Sequence, residues 1–122
     1  MENWKVLLVD DEQEFVTTLA ERLGLRGIDA AIASDGEEGL RLVEDLRPQV
    51  VVLDLMMPGM SGVEVLQQIK SLHPETRVLL LTGHGSTREG IEGMRLGADD
   101  YLMKPINIDE LIDKMKKAMR GE

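Results

Sequence analysis

The strongest constraint on the fold is a pattern that repeats five times, a short run rich in apolar residues followed by apolar residues at helical spacing. The runs occupy residues 5–9, 30–33, 50–53, 77–81 and 100–103. Such runs are typical of parallel strands buried between two layers of helices, and strands that alternate with helices form βαβ units. We therefore predict an α/β fold, a single doubly wound five-stranded parallel sheet flanked by five helices, with the weak second strand toward an edge.

Polar residues mark the helix starts in this pattern. A Ser or Asn followed three residues later by Glu has the spacing of a capping box, in which each side chain accepts a hydrogen bond from the other residue's backbone N–H. The chain carries this spacing at Ser34–Glu37, Ser61–Glu64, Ser86–Glu89 and, more loosely, Asn107–Glu110.

The fourth helix differs from the others because Gly90 and Gly93 lie inside it. Each internal glycine costs about 1 kcal/mol relative to alanine. Only Ile91, Met94 and Leu96 offer an apolar face. We predict that this helix is the least stable of the five.

Composition limits the classes of protein that fit. With 122 residues, 43% of them hydrophobic, residues 1–122 are expected to form one domain. The absence of cysteine excludes disulfides and thiolate metal sites. A net charge of −9 argues against direct binding of nucleic acid or a membrane surface by this domain. No apolar run is long enough to span a bilayer, so we expect a soluble, cytoplasmic protein.

The central apolar run ends in a carboxylate. Asp54 follows residues 50–53, and a turn rich in Pro and Gly follows it, with Pro58, Gly59 and Gly62. An aspartate after a strand is usually a turn former or a helix cap. Here the sequence predicts that the carboxylate stands at the exposed rim of a rigid, buried strand.

Other strand ends carry polar groups of complementary chemistry, namely Asp10 and Asp11, Thr82 with Gly83, and Lys104. Ligands of open parallel sheets bind outside the carboxyl ends of the strands, so we expect these groups to converge near Asp54. Three clustered carboxylates repel one another, and a divalent cation relieves that repulsion; ligands that are all oxygen favour Mg²⁺. The Lys104 ammonium, the Thr82 hydroxyl and the Gly83 amide are hydrogen-bond donors that suit a tetrahedral dianion. A carboxylate can accept a phosphoryl group and become an acyl phosphate.

These residues fall in four segments that resemble the receiver domain of bacterial two-component response regulators. The segments are VLLVDDE at 6–12, VVLDLMMPGMSG at 51–62, LLLTGHG at 79–85 and GADDYLMKPI at 97–106. The resemblance covers essentially the whole chain. It implies a flavodoxin-like sheet with strand order 2-1-3-4-5 and a Mg²⁺-dependent signalling switch that turns over no separate substrate.

The resemblance also implies roles around the acidic cluster. Asp54 would be the phosphoacceptor, taking its phosphoryl group from a histidine of a sensor histidine kinase or phosphotransfer protein. Asp11, Asp54 and the backbone carbonyl of Met56 would coordinate Mg²⁺ directly, and Asp10 would act largely through water. The positions of Met56 and His84 would influence how water reaches the acyl phosphate.

The remaining implied roles concern the response to phosphorylation. Lys104 would pair with the phosphoryl oxygens, and its bond to Pro105 would be cis. Thr82, with the Gly83 amide, would bind the phosphoryl group as the hydroxyl swings toward it, and Tyr101 would turn inward behind the threonine. The face formed by Thr82, Tyr101 and the fourth helix would then change its affinity for a partner or output domain.

Three other functions compete with this interpretation. A phosphatase of the haloacid-dehalogenase type needs an acid two residues beyond its aspartate, where this chain has Met56. A flavodoxin-like FMN binder needs a phosphate loop after the first strand, where the acids at 10–12 would repel phosphate. A receiver-shaped module that only binds proteins is the third alternative, and an intact acceptor site argues against it.

Structural interpretations of single residues also stand beside the functional ones. Asp10 and Asp11 could cap the first helix, Lys104 could be a solvated cation, and Tyr101 could be an edge-strand residue. We interpret His73 as a surface residue at a helix end.

The last helix carries a basic cluster of Lys114, Lys116, Lys117 and Arg120. We interpret it as a solvated face with i,i+4 pairs to Glu110 and Asp113. Alternatively, the cluster pairs with Glu89, Asp99 or Asp100 of a second copy, in a homodimer formed through the fourth helix, fifth strand and fifth helix.

Overall fold

A computed structural model of the chain describes residues 4–83 and 87–121. The predicted cap Ser86 lies outside the described residues, as does His84, whose position is expected to influence how water reaches the acyl phosphate. Along the chain the elements are β1 (Lys5–Val9), α1 (Gln13–Leu25), β2 (Asp29–Ala33), α2 (Gly36–Leu46), β3 (Val50–Asp54), α3 (Gly62–Leu72), β4 (Arg77–Thr82), α4 (Thr87–Arg95), β5 (Asp100–Met103) and α5 (Ile108–Met119). Among the described helices, none has the length and apolar character needed to cross a membrane.

The five strands form one parallel sheet in the order β2-β1-β3-β4-β5, which confirms the predicted fold and places β2 at an edge. The register aligns the carboxyl ends of neighbouring strands. Val9 of β1 pairs with Leu53 of β3, and Asp54 pairs with Leu81 of β4. The polar residues that follow these ends are therefore brought to one edge of the sheet.

The core consists of two apolar layers, one on each face of the sheet. Successive side chains of a strand point to opposite faces. Along β3, Val50 and Val52 pack in the layer under α1 and α5, whereas Val51 and Leu53 pack in the layer under α2 and α3. All four are fully buried, and burying each such side chain contributes about 1.5–3 kcal/mol. Asp54 thus ends a strand that is firmly held on both faces.

Two of the predicted helix caps are confirmed and one is wrong by a residue. Ser61 Oγ and Asn107 Oδ1 accept hydrogen bonds from the backbone N–H three residues further on, at 3.2 and 3.0 Å. For α2, the cap is Asp35 rather than Ser34. Asp35 Oδ1 accepts from the Glu38 N–H at 2.8 Å, and Glu38 Oε1 accepts from the Ser34 N–H at 2.7 Å. The cap is therefore displaced by one position, and Glu38 returns its hydrogen bond to the residue before the cap.

Of the apolar face expected on α4, Leu96 packs against the core just after the helix ends, whereas Ile91 and Met94 do not pack inward. Ile91 and Met94 are 60% and 38% exposed, whereas Gly90 and Gly93 are buried against the sheet. A β-carbon built on Gly93 would lie 2.4 Å from Leu80 Cδ1. The glycines therefore allow close approach of α4 to β4, and the larger apolar side chains are left facing outward.

The interpretation of His73 as a surface residue is wrong. Its side chain is buried and joins α3 to α2, since Nε2 hydrogen-bonds Glu44 and Nδ1 lies 3.4 Å from Arg47 Nη1. Because arginine can only donate, Nδ1 accepts and Nε2 carries the hydrogen. This hydrogen bond to His73 holds the pKa of the Glu44 carboxyl below its usual value.

Candidate functional site

The candidate site is built around the end of β3. The Asp54 side chain is almost completely buried, and its Oδ1 accepts a hydrogen bond from the Met56 N–H at 3.1 Å. Behind it, α3 starts so close to β3 that a β-carbon on Gly62 would lie 2.7 Å from Leu55 Cα and 2.9 Å from the Asp54 carbonyl oxygen. Glycine at position 62 thus lets the loop turn away and leave the carboxylate at the rim.

Three carboxylates meet at this rim. Oxygen atoms of Asp10, Glu12 and Asp54 lie within 4.8 Å of one another. Asp10 is buried, and its Oδ1 accepts a hydrogen bond from the Glu12 N–H at 2.9 Å, which fixes the turn after β1. Asp11 is exposed and stands beside this trio rather than within it. The alternative that Asp10 or Asp11 caps α1 is wrong, since Glu12 occupies the cap position.

Lys104 is the cation of the site. Its Nζ lies 3.0 Å from Asp10 Oδ2 and 3.6 Å from Asp54 Oδ2, and it hydrogen-bonds Glu12 Oε1. The ammonium also stands 4.6 Å from the centre of the Phe15 ring, within range of a cation–π interaction. The Lys104–Pro105 peptide bond is cis, as the resemblance implies. The alternative that Lys104 is a solvated cation is therefore wrong.

Charge and burial perturb both partners of the central pair. Burial raises the pKa of Asp54 to about 6, with Asp10 adding to the rise, while the Met56 N–H and Lys104 oppose it. Partial burial lowers the pKa of Lys104, but hydrogen bonds to Glu12 and Asp10 outweigh that effect and the net pKa is raised. The Asp54 carboxyl is thus harder to ionise than an exposed aspartate.

The donor set fits a magnesium ion. When ionised, Asp10, Glu12 and Asp54 carry three negative charges against the single positive charge of Lys104, which leaves two to be neutralised. All the donors of this trio are hard carboxylate oxygens, the ligands that Mg²⁺ prefers. Asp54 gains most from a divalent ion, because the neighbouring Asp10 otherwise raises the cost of ionising it.

The predicted switch residues lie beside the site, next to a shared cavity. Thr82 is buried, and its hydroxyl donates to the Leu102 carbonyl at 3.2 Å. The Tyr101 side chain is 47% exposed, and Lys114 Nζ stands 5.3 Å from the centre of its ring. A cavity of about 320 Å³ separates α4 from β5 and is lined by Thr82, Gly83, Gly90, Ile91, Met94, Tyr101 and Met103. The tyrosine thus faces outward here, with space between it and the threonine.

Two of the three acidic residues considered as dimer partners, Asp99 and Asp100, form ion pairs within the chain. Asp99 lies 3.2 Å from Lys70 and 3.6 Å from Arg77, and Asp100 lies 3.3 Å from Lys114. Lys114 also donates to the Tyr101 carbonyl oxygen at 2.8 Å, so its predicted pairing with Glu110 is replaced by contacts to β5. Lys117 does pair with Asp113, at 3.3 Å, as predicted.

Sequence reasoning missed Glu12 and Phe15. Both belong to the start of α1 and reach Lys104 across 92 and 89 positions of sequence. The signal for Glu12 was present, since it is the third consecutive acid after β1. Nothing in the local pattern distinguishes Phe15 from an ordinary residue of an amphipathic helix.

A buried carboxylate at the rim of a doubly wound sheet, next to two acids and a lysine, is the arrangement expected of a receiver-like α/β domain, and comparison with known proteins identifies the family. A family model described as the response regulator receiver domain matches residues 6–116. The chain belongs to this family of two-component response regulator domains.

Individual relatives support the assignment. The chain is 40% identical over 116 residues to the transcriptional regulatory protein CpxR of Klebsiella pneumoniae, covering 95% of this chain and 49% of that protein. It is 39% identical over the same length to the response regulator MprA of a Mycobacterium species, of which it covers 50%. The chain therefore spans about half the length of the curated relatives it matches. The structure of the Francisella response regulator 1452 receiver domain superposes with a TM-score of 0.87 at 36% identity, covering 98% of both chains.

Proposed function

We propose that residues 1–122 form a phosphoacceptor switch in which Asp54 receives a phosphoryl group from a phosphohistidine of a sensor histidine kinase or phosphotransfer protein. The observation that carries the proposal is the placement of Asp54, a rim carboxylate with Lys104 Nζ at 3.6 Å and a second buried acid beside it. This arrangement provides a nucleophile together with neutralisation of charge, which is what phosphoryl transfer mainly requires.

The transfer step follows from the chemistry of the groups. One Asp54 carboxylate oxygen attacks phosphorus, a carboxylate O–P bond forms, and the P–N bond to the donor histidine breaks. The imidazole nitrogen keeps the electron pair of the broken bond, and the chain gains an acyl phosphate. Lys104 is proposed to pair with the phosphoryl oxygens, as a compact point charge able to donate three hydrogen bonds.

The metal would be held by Asp10, Asp11, Asp54 and the Met56 carbonyl, with Asp10 acting largely through water; Glu12, although its carboxylate is close enough to contribute, would remain on Lys104. When bound, Mg²⁺ neutralises carboxylate and phosphoryl charge together. The carboxylates of this chain orient the ion beside the acceptor oxygen, and Asp54 must be ionised to act as a nucleophile. Because burial raises the pKa of Asp54 to about 6, phosphoryl uptake should decrease as the pH falls through this value.

We further propose that the phosphoryl group draws the Thr82 hydroxyl and the Gly83 amide toward it and that Tyr101 turns into the adjacent cavity. Thr82 would exchange its 3.2 Å hydrogen bond to the Leu102 carbonyl for one to a phosphoryl oxygen. Turning a 1:99 population into 99:1 needs about 5.5 kcal/mol, and charge-assisted hydrogen bonds of about 1.5–3 kcal/mol each can supply it.

The switch would act on other proteins rather than on a separate substrate, so the domain is not proposed to be an enzyme. Its cavity face, formed by α4, β5 and α5, is the proposed surface for an output partner or a second copy in a homodimer. The net charge of −9 argues that any contact with nucleic acid is made outside this domain. We propose a cytoplasmic location, where a kinase and Mg²⁺ are both available.

The test is chemical phosphorylation with acetyl phosphate and Mg²⁺. One hydroxylamine-labile phosphoryl group should be added and should map to the peptide containing Asp54, and EDTA should prevent it. Asp54→Asn should abolish the adduct, whereas Asp45→Asn, an exposed carboxylate on α2, should not. Lys104→Ala should retain an adduct but lose the movement of the Tyr101 ring into the cavity, followed by NMR of that ring. An adduct located on serine or threonine would contradict the assignment.

A further inference from the structure

The starting point is an unusual helix start. Glu12 stands at the cap position of α1, yet its side chain makes no capping hydrogen bond. A capping side chain at this position typically contributes about 1 kcal/mol of helix stability. The carboxylate instead hydrogen-bonds the ammonium of Lys104, 92 residues away. Glu12 therefore contacts Lys104 inside the site instead of capping α1.

Lys104 has three N–H donors and three carboxylates around it, Asp10, Glu12 and Asp54. A phosphoryl group on Asp54 places its oxygens beside this ammonium, where the Asp54 carboxylate now stands 3.6 Å away, and they must compete for it with Asp10 and Glu12. Among the described residues, these acids and the Phe15 ring are the charged and aromatic groups recorded around Nζ.

Burial decides which carboxylate withdraws at least cost. The Asp10 side chain is 1% exposed, and Asp54 itself carries the incoming group. The Glu12 side chain is 61% exposed. A carboxylate that returns to water recovers its hydration, whereas a buried one loses its partner and gains nothing in return.

We propose that Glu12 is a positioning residue that holds Lys104 in the unphosphorylated state and competes with the phosphoryl group for it. The inference rests on the proposed function of Asp54. Glu12 would act as an internal competitor of the phosphoryl oxygens, so it would weaken the affinity of the site for a phosphoryl group. It touches Lys104 and neither donates to nor accepts from the phosphoryl group.

Two substitutions separate contact from charge. Glu12→Gln removes the charge. Glu12→Asp keeps the charge but shortens the side chain, and aspartate at this position favours capping the backbone of α1 over reaching the lysine. If contact with Lys104 matters, both variants should behave alike. Glu14→Gln is the control, since Glu14 is an exposed acid of the same first helical turn.

The first measurement is the binding of beryllium fluoride, a mimic of a phosphoryl group on a carboxylate, in the presence of Mg²⁺. Glu12→Gln and Glu12→Asp should each lower its dissociation constant about two- to fivefold, the effect expected for a partly exposed ion pair. Glu14→Gln should leave it unchanged. A change in Glu12→Gln alone would show an effect of charge without contact and would overturn the proposal. A loss of Mg²⁺ affinity beyond about tenfold in both variants would make Glu12 a metal ligand and would also overturn it.

The second measurement uses neither Mg²⁺ nor a phosphoryl group. The rate at which an amine-acetylating reagent modifies Lys104, read by peptide mass, should rise severalfold in both Glu12 variants and stay constant in Glu14→Gln. An unchanged rate would overturn the role of Glu12, whatever happens at Asp54. Failure of the wild-type chain to bind beryllium fluoride or take up phosphoryl groups would instead overturn the proposed function, and the acetylation rate would still decide whether Glu12 restrains the lysine.

Discussion

Asp54→Asn should stabilise the metal-free domain at neutral pH. Asp54 is buried beside Asp10, and its pKa is raised from 3.8 to about 6. A carboxyl whose pKa is higher in the folded than in the unfolded state favours folding most at low pH, and this contribution is lost as the pH rises through the folded pKa. At neutral pH the ionised Asp54 therefore reduces the free energy of unfolding, and a neutral amide removes that cost.

The magnitude follows from the pKa difference. A shift of about two units corresponds to about 3 kcal/mol at 1.36 kcal/mol per unit. The attraction of Lys104, 3.6 Å away, is already part of that net shift, but water at the rim screens the charges and reduces the effect. We therefore expect a net gain of about 1–2 kcal/mol at pH 7.5, which shrinks to about a third of that value at pH 4.5.

Urea unfolding followed by circular dichroism, in EDTA at both pH values, measures this difference. Asp45→Asn is the matched control and should change the free energy of unfolding by less than about 0.5 kcal/mol. Adding Mg²⁺ should stabilise the wild-type chain more than Asp54→Asn, so the difference between their free energies of unfolding should become smaller. A variant that is less stable than wild type at pH 7.5, or a gain that is equal at the two pH values, would refute the reasoning.

Three further substitutions, and Gly24→Ala as a control, test the packing of the domain by urea unfolding. Gly93→Ala should destabilise the domain by about 1–3 kcal/mol, because its β-carbon would lie 2.4 Å from Leu80 Cδ1. Gly24→Ala should instead stabilise the domain by up to about 1 kcal/mol, because a β-carbon there would have nothing within 4 Å. Equal effects of the two substitutions would contradict the close packing of α4 on β4. Gly62→Ala should cost about 1–3 kcal/mol and slow acetyl phosphate uptake, since its β-carbon meets unyielding backbone after β3; normal uptake would separate this glycine from the acceptor. His73→Ala should lower the free energy of unfolding by about 1–3 kcal/mol, because it removes the buried link between α2 and α3. A change of less than about 0.5 kcal/mol, as expected for a surface residue, would contradict this role.

Several features of this protein could be predicted from short-range pattern. Unbroken apolar runs fix buried strands, and the change from strand to helical spacing fixes where each helix begins. Since ligand sites of parallel sheets lie at the carboxyl ends of strands, the same pattern places Asp10, Asp54 and Lys104 at one edge. The identity of a cap residue is harder to predict from sequence than the position of a strand. Two candidates next to one another, Ser34 and Asp35, differ only in how well each side chain reaches a backbone N–H, and that depends on the detailed path of the chain.

Sequence by itself determined the five βα units and the chemistry of each strand end, because both are encoded within a few neighbouring residues. Only the tertiary structure decided that Glu12 contacts Lys104, that His73 is buried, and that α4 packs through its glycines. Those outcomes depend on distances between elements far apart in sequence. Such distances are set by the packing of two helical layers on one sheet, and no local period of hydrophobic residues records them.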